Sequence, residues 1–243
     1  MHRSHSDRLL YALSPRFAPS CSEQMLEGLG ELLRKDNSLY VQTHYAENIA
    51  ELKWVQDLFP WSDDYLEVYE KYKLVGEKTI LAHGIHSSDS ERQRLLDAKV
   101  TISHCPSSNL YLGSGLFELS EHIASKQKIT LGSDVGAGTG FSIWSTLSDA
   151  VKISKIKGDQ VDPRTLFYLA TAGAAAALSL GDKTGYLKPG ADADIQVINP
   201  ELKPELRDRL SQCVNSEQIL SALIFLADDR NLVKCYSQGR SVL

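Results

Sequence analysis

VQTHYAEN, residues 41–48, is the stretch whose reading decides the fold. A short apolar run delivers His44 and, three residues later, Glu47. Read as a strand, the run places both side chains at or just past its carboxyl end, where parallel α/β proteins assemble their chemistry. A neutral imidazole can ligate a transition metal, and a carboxylate beside it can relay the protons of an attacking water. A single His-x-x-Glu is equally a satisfied polar pair, so its meaning depends on the strands around it.

Upstream, Leu9 to Leu13 reads as a strand closed by Ser14-Pro15-Arg16-Phe17. Ser20 and Glu23 then read as a capping box opening a helix with the apolar stripe Met25, Leu26, Leu29, Leu32 and Leu33. Downstream, a helix through Ala50 to Leu58 is stopped by Pro60, and the aromatic segment Tyr65 to Tyr72 supplies a short one. Three more apolar runs follow. Ile80 to Ala82 ends at His83-Gly84, VTISHCPSSN (100–109) ends at His104 before a Pro-Ser-Ser-Asn turn, and Ile129 to Leu131 leads to Asp134. Between them, Ser88 and Glu91 form a capping box opening a helix to about Lys99, and another helix is expected from Phe141 to about Lys157. Five βα units, each with a polar or ionisable residue at the strand exit, suit a (β/α) barrel better than an open sheet.

After Asp162-Pro163 an alanine-rich helix is expected to about Leu180, and then the texture changes. Gly185 to Gly190 is turn chemistry and Ala193 to Ile198 a short strand. A polar helical stretch from Glu201 to about Leu226 and a strand near Val233 to Tyr236 follow. The expected organisation is a barrel domain over 1–182 and, over 183–243, a remnant of a small β domain with a flanking helix.

Composition bounds the function. The chain has 243 residues, 42% hydrophobic and 23% charged, enough for one substantial core with a small appendage. A formal charge of −5 without a Lys/Arg stripe argues against a nucleic-acid partner. Four scattered cysteines, none in a Cys-x-x-Cys, suit a reducing compartment. No apolar run is long enough to span a membrane, and MHRSHSDRLL lacks the apolar centre of a signal peptide. The expected location is the cytoplasm.

His44, His83 and Asp134 share one context, the exit of a strand, and a barrel brings such exits onto one rim. Imidazole and carboxylate donors suit a hydrolytic Zn²⁺ or Fe²⁺. Each also has a plainer reading, a backbone hydrogen bond for a strand-end His and a helix cap for a strand-end Asp. His104 stands between rim structure and site, while His86 and His122 read as solvent-facing and His2 and His5 as part of a frayed start. Arg16-Phe17, just after a strand, suits a flat heterocycle stacked on a ring and read by a guanidinium, or simple packing. Gly136-x-Gly138-x-Gly140 fits neither the dinucleotide spacing, because position 141 is Phe, nor a P-loop. Its glycines read as a close backbone approach or a sharp turn.

SPRFAPSCS (14–22), QTHYAEN (42–48), LAHGIH (81–86), SHCPSSN (103–109), GSDVGAGTGFS (132–142), the long stretch 169–194 ending PGADAD, and ADDRN (227–231) together resemble the guanine deaminases of the amidohydrolase superfamily, nearest the bacterial branch. The resemblance covers almost the whole chain and implies zinc-dependent hydrolysis of guanine to xanthine and ammonia. It implies metal ligation by His44 and Asp134, a proton shuttle at Glu47, a water- and substrate-orienting role for His83, and purine binding by Arg16 and Phe17 with His44, Glu47 and His83. It further implies a homodimer for the full-length enzyme. The family also carries an earlier His-x-His that supplies two metal ligands, and this chain has none. By that comparison the expected fold is an incomplete (β/α)8 TIM-type barrel, about strands 4–8, and a fragment inactive on its own. The competing expectations are another aminohydrolase of the superfamily, acting on a cytosine, triazine or adenosine-type substrate, and a non-catalytic remnant that associates with a full-length partner.

Overall fold

A computed structural model describes residues 1–243. Beyond a single turn, α1 (Ser4–Asp7), the strands are β1 (Ala12–Leu13), β2 (Tyr40–Tyr45), β3 (Thr79–His83), β4 (Thr101–His104) and β5 (Lys128–Leu131). They form one five-stranded sheet in sequential order, every pair parallel, with β1 and β5 as the outer strands. Sequential parallel order is what repeated right-handed βα crossovers produce. The connecting helices are α2 (Glu23–Lys35), α3 (Ile49–Leu58), α4 (Tyr65–Lys71), α5 (Asp89–Asp97), α6 (Pro106–Leu112) and α7 (Leu119–Ala124), with α8 (Ile143–Ile156) after β5. Val41, Leu81, Ile102 and Ile129 from the sheet meet Leu26, Val55, Leu66, Leu95 and Leu147 from the helices in one buried core. All five strand exits lie on the same edge, which is how the fold positions the site.

Several expected elements change. The first strand shrinks to two residues, and Leu9, Leu10 and Tyr11 are exposed, because an apolar run becomes a strand only where a neighbour pairs with it. Ser20 does not cap α2; its hydroxyl donates to the Phe17 carbonyl at 3.0 Å, and Ser22 accepts from the Met25 amide at 3.1 Å instead. Glu23, freed from a capping box, receives the Lys71 ammonium at 3.2 Å. The box at Ser88 and Glu91 is present as read. The alanine-rich helix breaks at Thr171 (φ −130°, ψ −102°) into α9 (Pro163–Ala170) and α10 (Ala172–Ala177). The break seats the Tyr168 ring where a Gly173 side chain would be, 2.6 Å from an ideal Cβ. The Pro-Ser-Ser-Asn turn opens α6, and the stretch after Glu201 divides into α11 (Pro204–Leu210) and α12 (Ser216–Leu226), the latter capped by Asn215.

β6 (Ile195–Ile198), β7 (Leu232–Ser237) and β8 (Arg240–Ser241) form a separate antiparallel sheet. The Arg8 guanidinium reaches it, 3.1 Å from Asp192 and 2.6 Å from Asp194, so the aspartates of the PGADAD motif anchor the amino-terminal segment. α12 packs back on α8 and α9, and its Ile224 belongs to the main core.

His122 is buried rather than solvent-facing, and so is His104; the Phe117 ring lies between them, with centroids 4.7 Å from His104 and 4.5 Å from His122. Burial drives the His104 pKa down to about 3. Burial, helped by the Arg92 charge, takes His122 to about 4. Both rings are therefore neutral in the folded state and titrate at their ordinary pKa only when unfolded. Proton uptake on unfolding means full stability above about pH 6.5, lost as pH falls, at about 1.4 kcal/mol per pH unit for each group. Denaturant midpoints at pH 7.5, 6 and 5 should drop steadily, and His122→Phe should flatten the slope. An unchanged slope in that variant would remove His122 from the acid response.

Candidate metal and catalytic site

β2 carries His44 at its exit, and its backbone is held from two sides. The His44 amide donates to the Arg16 carbonyl at 3.0 Å, and the Tyr69 hydroxyl of α4 donates to the His44 carbonyl at 2.8 Å. The same Arg16 carbonyl lies 2.5 Å from His44 Nδ1, so Nδ1 carries the proton and Nε2 presents its lone pair. Glu47 follows on a turn fixed by a capping box: Glu51 Oε2 accepts from the amides of Glu47 and Asn48 at 2.9 and 3.2 Å, while the Asn48 side chain caps α3. The local sequence Glu-Asn-x-x-Glu thus both starts α3 and aims Glu47.

His83 ends β3 and is fully buried. Its Nδ1 meets Asn109 Oδ1 at 2.8 Å, which fixes the tautomer, and its Nε2 has no hydrogen-bond partner within the protein. Asp134 arrives three residues past β5. The loop after it folds back so tightly that a Cβ on Gly138 would lie 1.7 Å from the Ser133 carbonyl oxygen, so only glycine fits there. Ala46, His83 and Asp134 all have left-handed backbones, with φ of 46°, 73° and 48°. Such conformations in non-glycine residues cost of order 1–3 kcal/mol each and persist where surrounding structure aims a side chain.

The strand exits bring these groups together. One donor atom each from His44, His83 and Asp134 lies within 4.8 Å of the others. His44 Nε2 is 3.7 Å from Asp134 Oδ1, His83 Nε2 is 3.8 Å from Asp134 Oδ2, and Glu47 Oε2 is 3.6 Å from His83 Nε2. Asp134 raises the His44 pKa above the ordinary imidazole value against the effect of burial, and His44 in turn holds the Asp134 carboxyl below its usual range. The pocket is rich in negative charge and prefers a cation. Two bare imidazole nitrogens and a carboxylate form a borderline donor set suited to Zn²⁺ or Fe²⁺, and an unpartnered nitrogen on a fully buried ring is otherwise a costly feature. The residues fit a metal, with His83 joining His44 and Asp134 in the donor cluster.

Arg16 and Phe17 lie just after β1, with the Arg16 carbonyl against His44. The guanidinium carbon lies 5.3 Å from the Phe17 ring centroid, and Phe17 packs edge-on against Trp54 of α3 at 5.7 Å. His104 lies outside the donor cluster, on the Phe117 stack. His86 Nε2 donates to the Ser114 carbonyl, 2.7 Å away, as a loop brace, and His2 contacts the Ser38 hydroxyl at 2.7 Å, away from the site. Three groups that hold the site escape sequence reading: Asn109, Ser114 and Tyr69. Asn109 sits in a motif visible in the sequence, and the Asn48/Glu51 box follows an ordinary capping pattern, but nothing local marks Tyr69.

A parallel α/β scaffold thus gathers two histidines, an aspartate and a glutamate at its strand exits, a constellation that can hold a cation beside a carboxylate. The amidohydrolase family model matches residues 1–242, and the chain belongs to the amidohydrolase family. It is 40% identical to the guanine deaminase of Escherichia coli (strain K12) over 235 residues, 97% of this chain and 54% of that protein. The solved E. coli guanine deaminase structure matches with a TM-score of 0.96 at 39% identity, covering 100% of this chain and 56% of that one. Guanine deaminase from C. acetobutylicum, solved with guanine in its active site, matches with a TM-score of 0.84 at 36% identity, covering 94% of this chain and 54% of that one. The chain therefore spans about half the length of the curated relatives it matches.

Proposed function

We propose that this chain forms the substrate-converting part of a guanine deaminase, hydrolysing guanine to xanthine and ammonia. One observation carries the reading: His44, His83, Asp134 and Glu47 converge on the strand exits of a chain 40% identical to such an enzyme. The five strands then correspond to about strands 4–8 of a (β/α)8 barrel, with residues 183–243 as part of a small β domain. The same reading places the complete protein in the cytoplasm as a homodimer.

His44, His83 and Asp134 would hold Zn²⁺, with Fe²⁺ the other cation the donors suit. When bound, the ion supplies Lewis acidity that makes water nucleophilic near neutral pH. The remaining work falls to the side chains. Glu47 takes a proton from the water as its oxygen adds to ring carbon 2 and delivers it to the adjacent ring nitrogen. Asp134 accepts the second proton, which leaves with the amino group as ammonia while the carbon–nitrogen bond breaks and the carbonyl of xanthine forms. His83, held as the Nδ1–H tautomer by Asn109, would offer Nε2 to the ion and so sets water and substrate only through its fixed place beside Glu47. Arg16 and Phe17 hold the purine by hydrogen bonding and stacking.

The test is loss of guanine absorbance with zinc added, measured for the chain alone and complemented with the amino-terminal segment of the E. coli relative. Guanine turnover in either arm supports the reading. Conversion of cytosine, a triazine or adenosine in place of guanine overturns the substrate, and stable assembly without metal or turnover overturns the enzyme. In the active protein, Arg16→Ala should raise KM for guanine by roughly 10- to 100-fold, the worth of a charge-assisted hydrogen bond, with a smaller change in kcat. An unchanged KM would return Arg16 to simple packing.

A further inference from the structure

Glu47 has one carboxylate oxygen near His83 and the other engaged elsewhere. The Ser114 hydroxyl donates to Glu47 Oε1 at 2.9 Å, leaving Oε2 at 3.6 Å from His83 Nε2. Ser114 is buried and sits just beyond α6, whose other functional contact is Asn109 Oδ1 to His83 Nδ1 at 2.8 Å. These two contacts are joined through the backbone, because the Ser114 amide donates to the Asn109 carbonyl at 2.9 Å. The Ser114 carbonyl is tied in turn to His86 Nε2 at 2.7 Å, and His86 is anchored by its amide to the Ala46 carbonyl at 3.0 Å, next to Glu47. Gly115, with φ of 137°, passes so close that a Cβ would lie 3.0 Å from Ile85 and 3.3 Å from the His86 ring. Hydroxyl, helix end and histidine brace form a closed frame around the Glu47 carboxylate.

We infer that Ser114 is a positioning residue for the reaction: its hydroxyl holds Glu47 by one oxygen so that the other faces the reacting centre beside His83, while Asn109 at the same helix end sets His83. The inference rests on the proton-shuttle role of Glu47. A carboxylate on a flexible side chain reaches many orientations, and a fixed hydrogen bond to one oxygen removes most of them before substrate arrives.

The experiment compares Ser114→Ala and Ser114→Thr with the parent in the protein that shows turnover, using whichever aminohydrolase substrate it converts. Ser114→Ala should lower kcat by roughly 10- to 100-fold with KM within about twofold, and Ser114→Thr, which keeps the hydroxyl, should recover most of the rate. In a Glu47→Gln background the alanine substitution should cost little more, because both changes act on one proton path. A crystal structure of the Ser114→Ala chain is the readout that does not depend on turnover, and there Glu47 should turn away from His83. Loss of rate with Glu47 unmoved, an additive double variant, or a KM effect alone would each overturn the assignment. Conversion of a different substrate with the same Ser114 dependence would reject only the choice of guanine.

Discussion

Glu47→Gln should reduce turnover by about 10²- to 10⁴-fold, the range a positioned general acid–base supplies. Glutamine keeps the size of the side chain and an oxygen to accept from Ser114, but it cannot take up or release a proton. Zinc content should stay the same, since Glu47 lies outside the three-residue donor cluster. Guanine affinity, measured by equilibrium titration of the variant, should also hold, because ground-state contacts survive. The loss therefore appears in kcat and not in substrate binding. A rate within twofold of the parent would take Glu47 out of the mechanism and leave Asp134 as the only carboxylate in reach of the protons.

Asp134→Ala should lower zinc affinity by more than about 100-fold, read by competition against a chromogenic chelator. Outer groups that merely orient a ligand are worth 10- to 100-fold in metal affinity, and Asp134 supplies both a donor atom and the balancing charge. In the metal-free variant the His44 pKa should also fall, because Asp134 is the main group raising it. Proton NMR of the imidazole reports that shift. Undiminished zinc affinity would place the cation elsewhere in the protein. The two substitutions separate the parts of the site: one stops chemistry with metal in place, the other removes the metal.

The strand exits were legible because each is local. A short strand delivers a polar residue at its exit: His44 and His83 lie within the ends of β2 and β3, and Asp134 follows β5 by three residues. The caps at Ser88 and Asp162 were equally plain, since a side chain two or three residues from the amide it accepts needs no tertiary information. Ser20 misled because Ser22 competes for the same cap two positions on, and the choice was made by the turn at Ala18–Ser20 that places Phe17. The alanine-rich segment misled for a different reason. Propensity alone runs one helix through Thr171, but packing of Tyr168 against Gly173 breaks it.

By itself the sequence determined the alternation of strands and helices, hence the parallel sheet, and the identity of the ionisable groups at its carboxyl edge. Periodicity and capping encode these because they depend on neighbours a few residues away. Tertiary structure alone decided that the donor atoms of His44, His83 and Asp134 meet within 4.8 Å. It also set the His83 tautomer through Asn109, 26 residues away, held Glu47 through Ser114, 67 residues away, and buried His104 and His122 on one phenylalanine. Those outcomes depend on which strand exits and helix ends come to lie side by side, and pairwise contact across such separations leaves no local pattern in the chain.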